Sequence, residues 1–372
     1  MSERIETIRE FEYFIGPQHP GITGNFSIKL KAKGDIILEA EAHPGYLHRG
    51  FEKLMEQRHW VKNVPMVCRI CVPDPDPNEV LYAMGVEELA GLEVPERAQW
   101  IRVMVLEMSR ITAHLFYLGG IAGALGLYTI PQWTIGDRDY VLDRFEELTG
   151  ARVYHIYTTP GGVRRDLPKG FADRMHKTLD YLEKRLKDYY RLMFDNPVFQ
   201  KRTIGVGTMD PEWAMENGVT GPNLRGCGVK ADVRIDDPYL VYDKIDFEVP
   251  TADGCDMFSR AIVRYRELEQ SIHIIRQVLD NMPDGPFLNK PGNPMMWRVP
   301  PGDVYVRVES SKGEYGYYIV SSGGVKPYRV HVRGPSMTHG IHVIEQLLVG
   351  QRVADVSAIM FSLDICPPDI DR

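Results

Sequence analysis

The sequence has few cysteines: five, at positions 68, 71, 227, 255 and 366. An odd number spread over a large chain argues against a disulfide framework and predicts reduced thiols. It also lacks a long apolar run. The longest such stretch, residues 111–131, holds His114 and four glycines, at 119, 120, 123 and 126. A spanning helix needs about 20 uninterrupted apolar residues. This stretch therefore predicts a buried core helix and a soluble subunit. The N-terminal segment MSERIETIREFEYF is charged where a signal peptide would be apolar. The net charge of −7 comes with no basic stripe, which excludes nucleic acid as a partner. No Gly-x-Gly-x-x-Gly follows a predicted strand, so nothing points to NAD binding. There is no internal repeat, low-complexity tract or charge run.

The apolar residues that are present, 44% of the chain, suffice for a substantial core. Residues 26–42 alternate apolar and polar about Lys33-Gly34-Asp35 and predict a β-hairpin. A second hairpin is expected from 304–310 and 315–322 about Ser311-Lys312-Gly313-Glu314. Helical spacing marks 50–60, 96–119, 171–192, 257–281, 339–348 and 353–361. Pro95 stands near the start of the second of these, where its missing N–H costs little. The segments 196–255 and 283–303, rich in Pro, Gly and Asp, read as long loops. The expected fold class is α+β: a central helix bundle with small antiparallel sheets at its periphery. One domain spanning 1–372 is expected, with an N-terminal hairpin region at about 9–45.

Cys68-Arg69-Ile70-Cys71 places two thiols where one turn can present both to a soft metal. Redox pairs, zinc knuckles and coincidence compete for the same spacing. Cys366 and Asp369, three apart, could complete a four-ligand set. The plain alternative is three buried, inert cysteines and a surface aspartate.

The pattern resembles nickel–iron hydrogenase large subunits, which hold their metal with one Cys-x-x-Cys near each end. Cys68 and Cys71 match the first pair and Cys366 the first member of the second. Asp369 stands where the fourth cysteine belongs. A hard carboxylate replaces a bridging thiolate poorly on nickel, so no complete nickel–iron site is expected. The whole chain also resembles the 49-kDa-type subunit of respiratory complex I. The resemblance rests on Gly16-Pro17-Gln18-His19-Pro20 and on Gly45-Tyr46-Leu47-His48-Arg49-Gly50. It continues through Pro160-Gly161-Gly162-Val163-Arg164-Arg165, Lys312-Gly313-Glu314-Tyr315-Gly316 and the terminal Asp371-Arg372. That family's quinone-facing tyrosine is matched by Tyr82. Its second histidine is replaced by Thr23, and an acidic residue by Ala124, which cannot hold a proton.

Hydrogenase-like cysteines on a complex I-like framework resemble the large subunit of archaeal membrane-bound sulfane sulfur reductases. That resemblance implies a redox complex on the cytoplasmic face of the membrane, driven by ferredoxin and coupled to ion pumping. It implies a small subunit carrying a [4Fe–4S] cluster, a 30-kDa-type subunit and ion-translocating membrane-arm subunits. This chain would hold no cofactor alone. Cys68, Cys71, Cys366 and Asp369 would form the reactive pocket. Arg69, Arg164 and Arg165 would attract anionic polysulfide, with His19, Tyr82 and Glu52 as proton-carrying candidates. The alternatives are a quinone-reducing subunit, an atypical nickel–iron hydrogenase and a non-catalytic scaffold.

Overall fold

The glycine-containing apolar run lies in the longest helix, Glu96–Ala124, which follows Pro95. Nearly every side chain from Trp100 to Leu118 is buried, including the paired charges of Arg102, Glu107 and Arg110. The structure, a computed structural model, describes residues 9–372, so the charged N-terminal segment lies partly outside it. We label the six longer helices α1 (Asp76–Ala90), α2 (Glu96–Ala124), α3 (Thr129–Thr149), α4 (Phe171–Tyr189), α5 (Met257–Asn281) and α6 (Val356–Leu363). α2 packs against α3, α5 and α6, and α4 closes the bundle against α3 and α5. Two glycines allow this closeness. A Cβ on Gly119 would lie 2.6 Å from Thr134 Oγ1, and one on Gly120 would lie 2.9 Å from the Phe361 ring. Among the described residues no helix is long and apolar enough to cross a membrane.

Both expected hairpins form, and each gains a third strand. β1 (Glu10–Ile15), β2 (Ser27–Lys33) and β3 (Ile36–His43) make one antiparallel sheet. β4 (Thr158–Thr159) and β5 (Gly162–Val163) form a small ladder. β6 (Gly302–Ser310), β7 (Gly313–Ser321) and β8 (Arg329–Arg333) form the third sheet. Ser310 pairs with Gly313, so the turn is two residues, Ser311-Lys312, rather than four. The turn is driven into the bundle. Arg110 donates to the carbonyls of Ser310 at 3.0 Å and Glu309 at 2.7 Å, and Asp74 accepts the Ser311 N–H at 2.8 Å.

Several expectations change. The helix expected at 50–60 spans only Phe51–Met55. α1 and α3 have no counterpart among the predicted elements. The supposed loop at 196–255 contains short helices at Pro197–Thr203, Pro211–Glu216, Pro222–Arg225 and Val233–Asp236. Proline opens the first three, and the side chains of Asn196, Asp210 and Asp232 cap the first, second and fourth. Reduced thiols were expected throughout, yet Cys227 and Cys255 form a disulfide. Two backbone bonds lay their segments side by side: Cys255 N–H to Gly226 at 2.9 Å and Ala252 N–H to Arg225 at 3.0 Å. Cys68, Cys71 and Cys366 remain free and buried.

Candidate active site

Three free cysteines from distant positions reach one region. The short helix Val64–Val67 ends at Cys68, and the turn that follows brings in Cys71. Cys366 precedes the short helix Pro367–Ile370, and its N–H donates to Ser336 Oγ at 3.1 Å. Cys71 and Cys366 lie close enough to shift each other's thiol. Cys71, helped by the Lys312 ammonium, holds the Cys366 thiol below its usual pKa against the effect of burial. Burial pushes the Cys71 thiol well up, and Cys366 adds to this. Of the two, Cys366 is the more readily ionised. Cys68 is driven up by burial, with the Glu79 carboxylate adding to it.

Lys312, buried at the tip of the β6–β7 turn, supplies the cation. Burial opposes its charge, but Asp364 and the two cysteine sulfurs outweigh that and raise its pKa. Its Nζ lies 2.5 Å from Asp364 Oδ1. Lys312, Asp364 and Cys366 face a cavity of about 420 Å3 whose other walls include Val72, Phe116 and Phe361. A second apolar cavity of about 570 Å3 adjoins it, sharing Phe116, Gly120 and Phe361.

Cys366 is the one member of the expected cysteine set that lines the first cavity. Cys71 stands behind it. Cys68 accepts from Arg69 at 3.5 Å and is not a lining residue. Asp369 is buried, and its carboxylate accepts the Ser336 N–H at 3.0 Å. Burial raises its pKa. Among the described residues no three His, Cys, Asp or Glu side chains converge as metal ligands. The donor set does not fit a nickel–iron centre, because the fourth position is a carboxylate engaged by a backbone amide.

The other expected contacts lie elsewhere. Arg69 is half-buried over the Tyr154 ring, 5.0 Å from its centroid. Arg164 and Arg165 are exposed. Arg164 donates to the Ile156 carbonyl at 3.1 Å, and the Arg165 carbonyl accepts the Tyr157 hydroxyl at 2.6 Å. His19 is exposed, its Nδ1 accepting the Gly21 N–H at 3.0 Å. Tyr82 is sealed in the core, donating to the Trp60 carbonyl at 2.9 Å and accepting from Asn63 at 3.1 Å. Glu52 is bound by Arg329 at 2.8 Å, the Val332 N–H at 2.9 Å and Arg372 at 3.2 Å. Thr23 does line the first cavity, and Ala124 the second. Sequence reasoning missed Lys312 and Asp364. Lys312 lies in a quoted family block, but nothing in its local pattern marks a buried lysine.

Residues 124–372 match the family model for the 49-kDa subunit of respiratory-chain NADH dehydrogenase. The chain is 50% identical to an NADH-quinone oxidoreductase subunit of Thermosipho melanesiensis, over 98% of this chain and all of that one. It is 41% identical to an F(420)H(2) dehydrogenase subunit of Methanosarcina mazei, over the full length of both. A chain in the solved structure of the membrane-bound sulfane sulfur reductase, an archaeal respiratory membrane complex, superposes with a TM-score of 0.94. The two are 53% identical over 97% of this chain and 98% of that one. The chain belongs to the 49-kDa-subunit family of respiratory-chain NADH dehydrogenases and is an oxidoreductase subunit of a respiratory complex.

Proposed function

We propose that this subunit binds polysulfide in the cavity at Cys366 and Lys312 and promotes its reduction to sulfide. The carrying observation is a cysteine with a lowered pKa and a buried ammonium at the wall of a mainly apolar cavity, which Asp364 and Arg138 also line. Apolar walls suit a chain of sulfur atoms, and the ammonium suits its anionic end. Thiolates also exchange with S–S bonds. A [4Fe–4S] cluster on an adjacent small subunit would supply electrons originating from ferredoxin. The reduction breaks one terminal S–S bond. A polysulfide dianion, two electrons and one proton yield hydrosulfide and a polysulfide dianion one sulfur shorter. A 30-kDa-type subunit and ion-translocating membrane-arm subunits would complete the complex at the cytoplasmic face. The sulfane sulfur reductase at 53% identity supports this reading.

Quinone reduction is the second reading, favoured by the apolar lining and by the names of several relatives. The engaged hydroxyl of Tyr82 argues against it. The test uses the intact complex. Expected are sulfide release from polysulfide, iron with acid-labile sulfide, and negligible nickel. Lys312→Met should raise the polysulfide KM roughly tenfold, about 1.4 kcal/mol of lost anion binding. Cys366→Ala should lower turnover while the complex still assembles. Quinone-analogue-sensitive quinone reduction without sulfide release would support the second reading. Stoichiometric nickel with hydrogen evolution would favour a hydrogenase. Unchanged turnover in both variants would reduce the subunit to a scaffold.

A further inference from the structure

A second cation stands on the wall of the first cavity. Arg138 comes from α3, which packs along α2, and lines the same space as Lys312, Asp364 and Cys366. It is partly buried, and its Nε is enclosed without a hydrogen-bond partner. The carboxylates around it on α3 are engaged by others. Asp137 accepts from Arg185 at 2.8 Å and from Tyr181 at 2.7 Å. Asp139 and Asp143 both pair with Arg152, at 3.1 Å and 2.6 Å. Among the described residues no carboxylate is within ion-pair reach of Arg138. Its guanidinium lies over the Phe116 ring at 5.9 Å from the centroid. That is near the outer limit of a cation–π contact, about 6 Å.

Arg138 and Lys312 stand apart on the wall. The charges that act on Lys312 are those of Asp364, Cys71 and Cys366, whereas Arg138 has Asp139 and Arg152 for neighbours. The rest of the wall is largely apolar, with Val72, Pro73, Phe116 and Phe361. Asp364 is the one carboxylate among the lining residues, and it is already shared. Lys312 holds it at 2.5 Å, and Arg264 Nε stands 3.9 Å from its other oxygen. Arg264 is buried behind Tyr117, a lining residue, 4.3 Å from the ring centroid. Three cations therefore meet one carboxylate. Even an ionised Cys366 leaves the wall with positive charge in excess. Partly buried cations without counter-ions are costly, so the wall favours an anionic guest.

We propose that this cavity recognises a ligand with an apolar chain and an anion at each end, one end held by Lys312 and the other by Arg138. The proposal deepens the polysulfide reading and rests on it for the ligand class. A polysulfide dianion has that form, whereas a quinone is neutral. Lys312 stands beside Cys366, so the end it binds is the end presented to the thiol. Arg138 holds the far end and fixes how deeply the chain sits. A guanidinium suits this place, because it is weakly hydrated and offers several N–H donors in one plane. Arg138 is a binding residue and moves no proton.

The experiment uses the intact complex and inert probes. A series of α,ω-dicarboxylates from succinate to sebacate is compared with monocarboxylates of equal chain length by titration calorimetry. The best-fitting diacid should bind roughly tenfold tighter than its monoacid, the weight of one charge-assisted hydrogen bond. Without a second cation the order should reverse, because a carboxylate in an apolar cavity is costly. Arg138→Met should therefore erase the preference, and Arg138→Lys, which keeps the charge, should retain most of it. In turnover, Arg138→Met should raise the polysulfide KM roughly tenfold, with a smaller effect on kcat. A wild-type complex in which no diacid outdoes its monoacid would overturn the proposal, even if no variant assembled. A diacid preference that survives Arg138→Met would overturn it too. A preference lost in Arg138→Met, in a complex that reduces no polysulfide, would keep the two-cation site and sink only the sulfur reading.

Discussion

The two three-stranded sheets have the same antiparallel order and opposite uses. In the first, β1 is exposed along almost its whole length. Its charges meet in water: Lys29 and Glu12 at 3.2 Å, Lys31 and Glu10 at 3.4 Å. In the second, the β6–β7 turn is buried and carries Glu309 and Lys312 inward. Exposed pairs are screened and contribute little. Buried ones must be matched or neutralised, because a lone charge there is costly. Of the two, Lys312 borders the cavity.

The largest break in that contrast should come from Arg225→Met. It strips Glu267 and Glu309 of the guanidinium that bridges them, at 2.7 Å and 2.8 Å, and should cost about 3–5 kcal/mol. Chemical unfolding and the yield of assembled complex would read it. Next is the disulfide beside Arg225. It closes a 28-residue separation, and replacing both cysteines by serine should cost about 3–4 kcal/mol on the loop-closure model. A melting curve unchanged by the double replacement would show that the staple adds nothing to the fold.

Glu309→Gln sharpens the comparison in the other direction. Three buried guanidiniums, of Arg110, Arg225 and Arg234, face four buried carboxylates, of Glu107, Asp232, Glu267 and Glu309, and the variant removes the excess charge. Glu309 has a folded pKa raised from 4.5 to about 7. Below 4.5 both folded and unfolded chains are protonated there. Between 4.5 and 7 the folded chain binds more proton, so the contribution of Glu309 to stability falls as pH rises. The variant should lose this slope and match or exceed wild type at about pH 8. A stability–pH curve with the wild-type slope would contradict it. The smallest effect is expected in the first sheet. Lys31→Met should leave the melting temperature unchanged, and a clear drop would show that the exposed sheet depends on its ion pairs after all.

Much of the fold was legible from spacing. The pattern over 257–281 matched α5 to the residue, because a core-facing helix repeats its apolar positions wherever it packs. The two hairpins were visible for the same kind of reason, a period of two. The third strands were less so, since a strand added at a sheet edge is chosen by its neighbour. Within the site, the three cysteines could be named from spacing and resemblance. Which of them faces open space could not, and Cys366 alone does.

The sequence by itself determined three of the long helices, α2, α4 and α5, the hairpins, the family and the missing fourth thiolate, because each is a matter of residue type and interval. Only the tertiary structure decided that Lys312 stands against the thiols, that Tyr82 is sealed, that Cys227 meets Cys255 and that Glu309 is the odd carboxylate. Those outcomes depend on burial and on charges contributed from elements far apart in the chain, and electrostatic energy in a dry interior is set by distance in space.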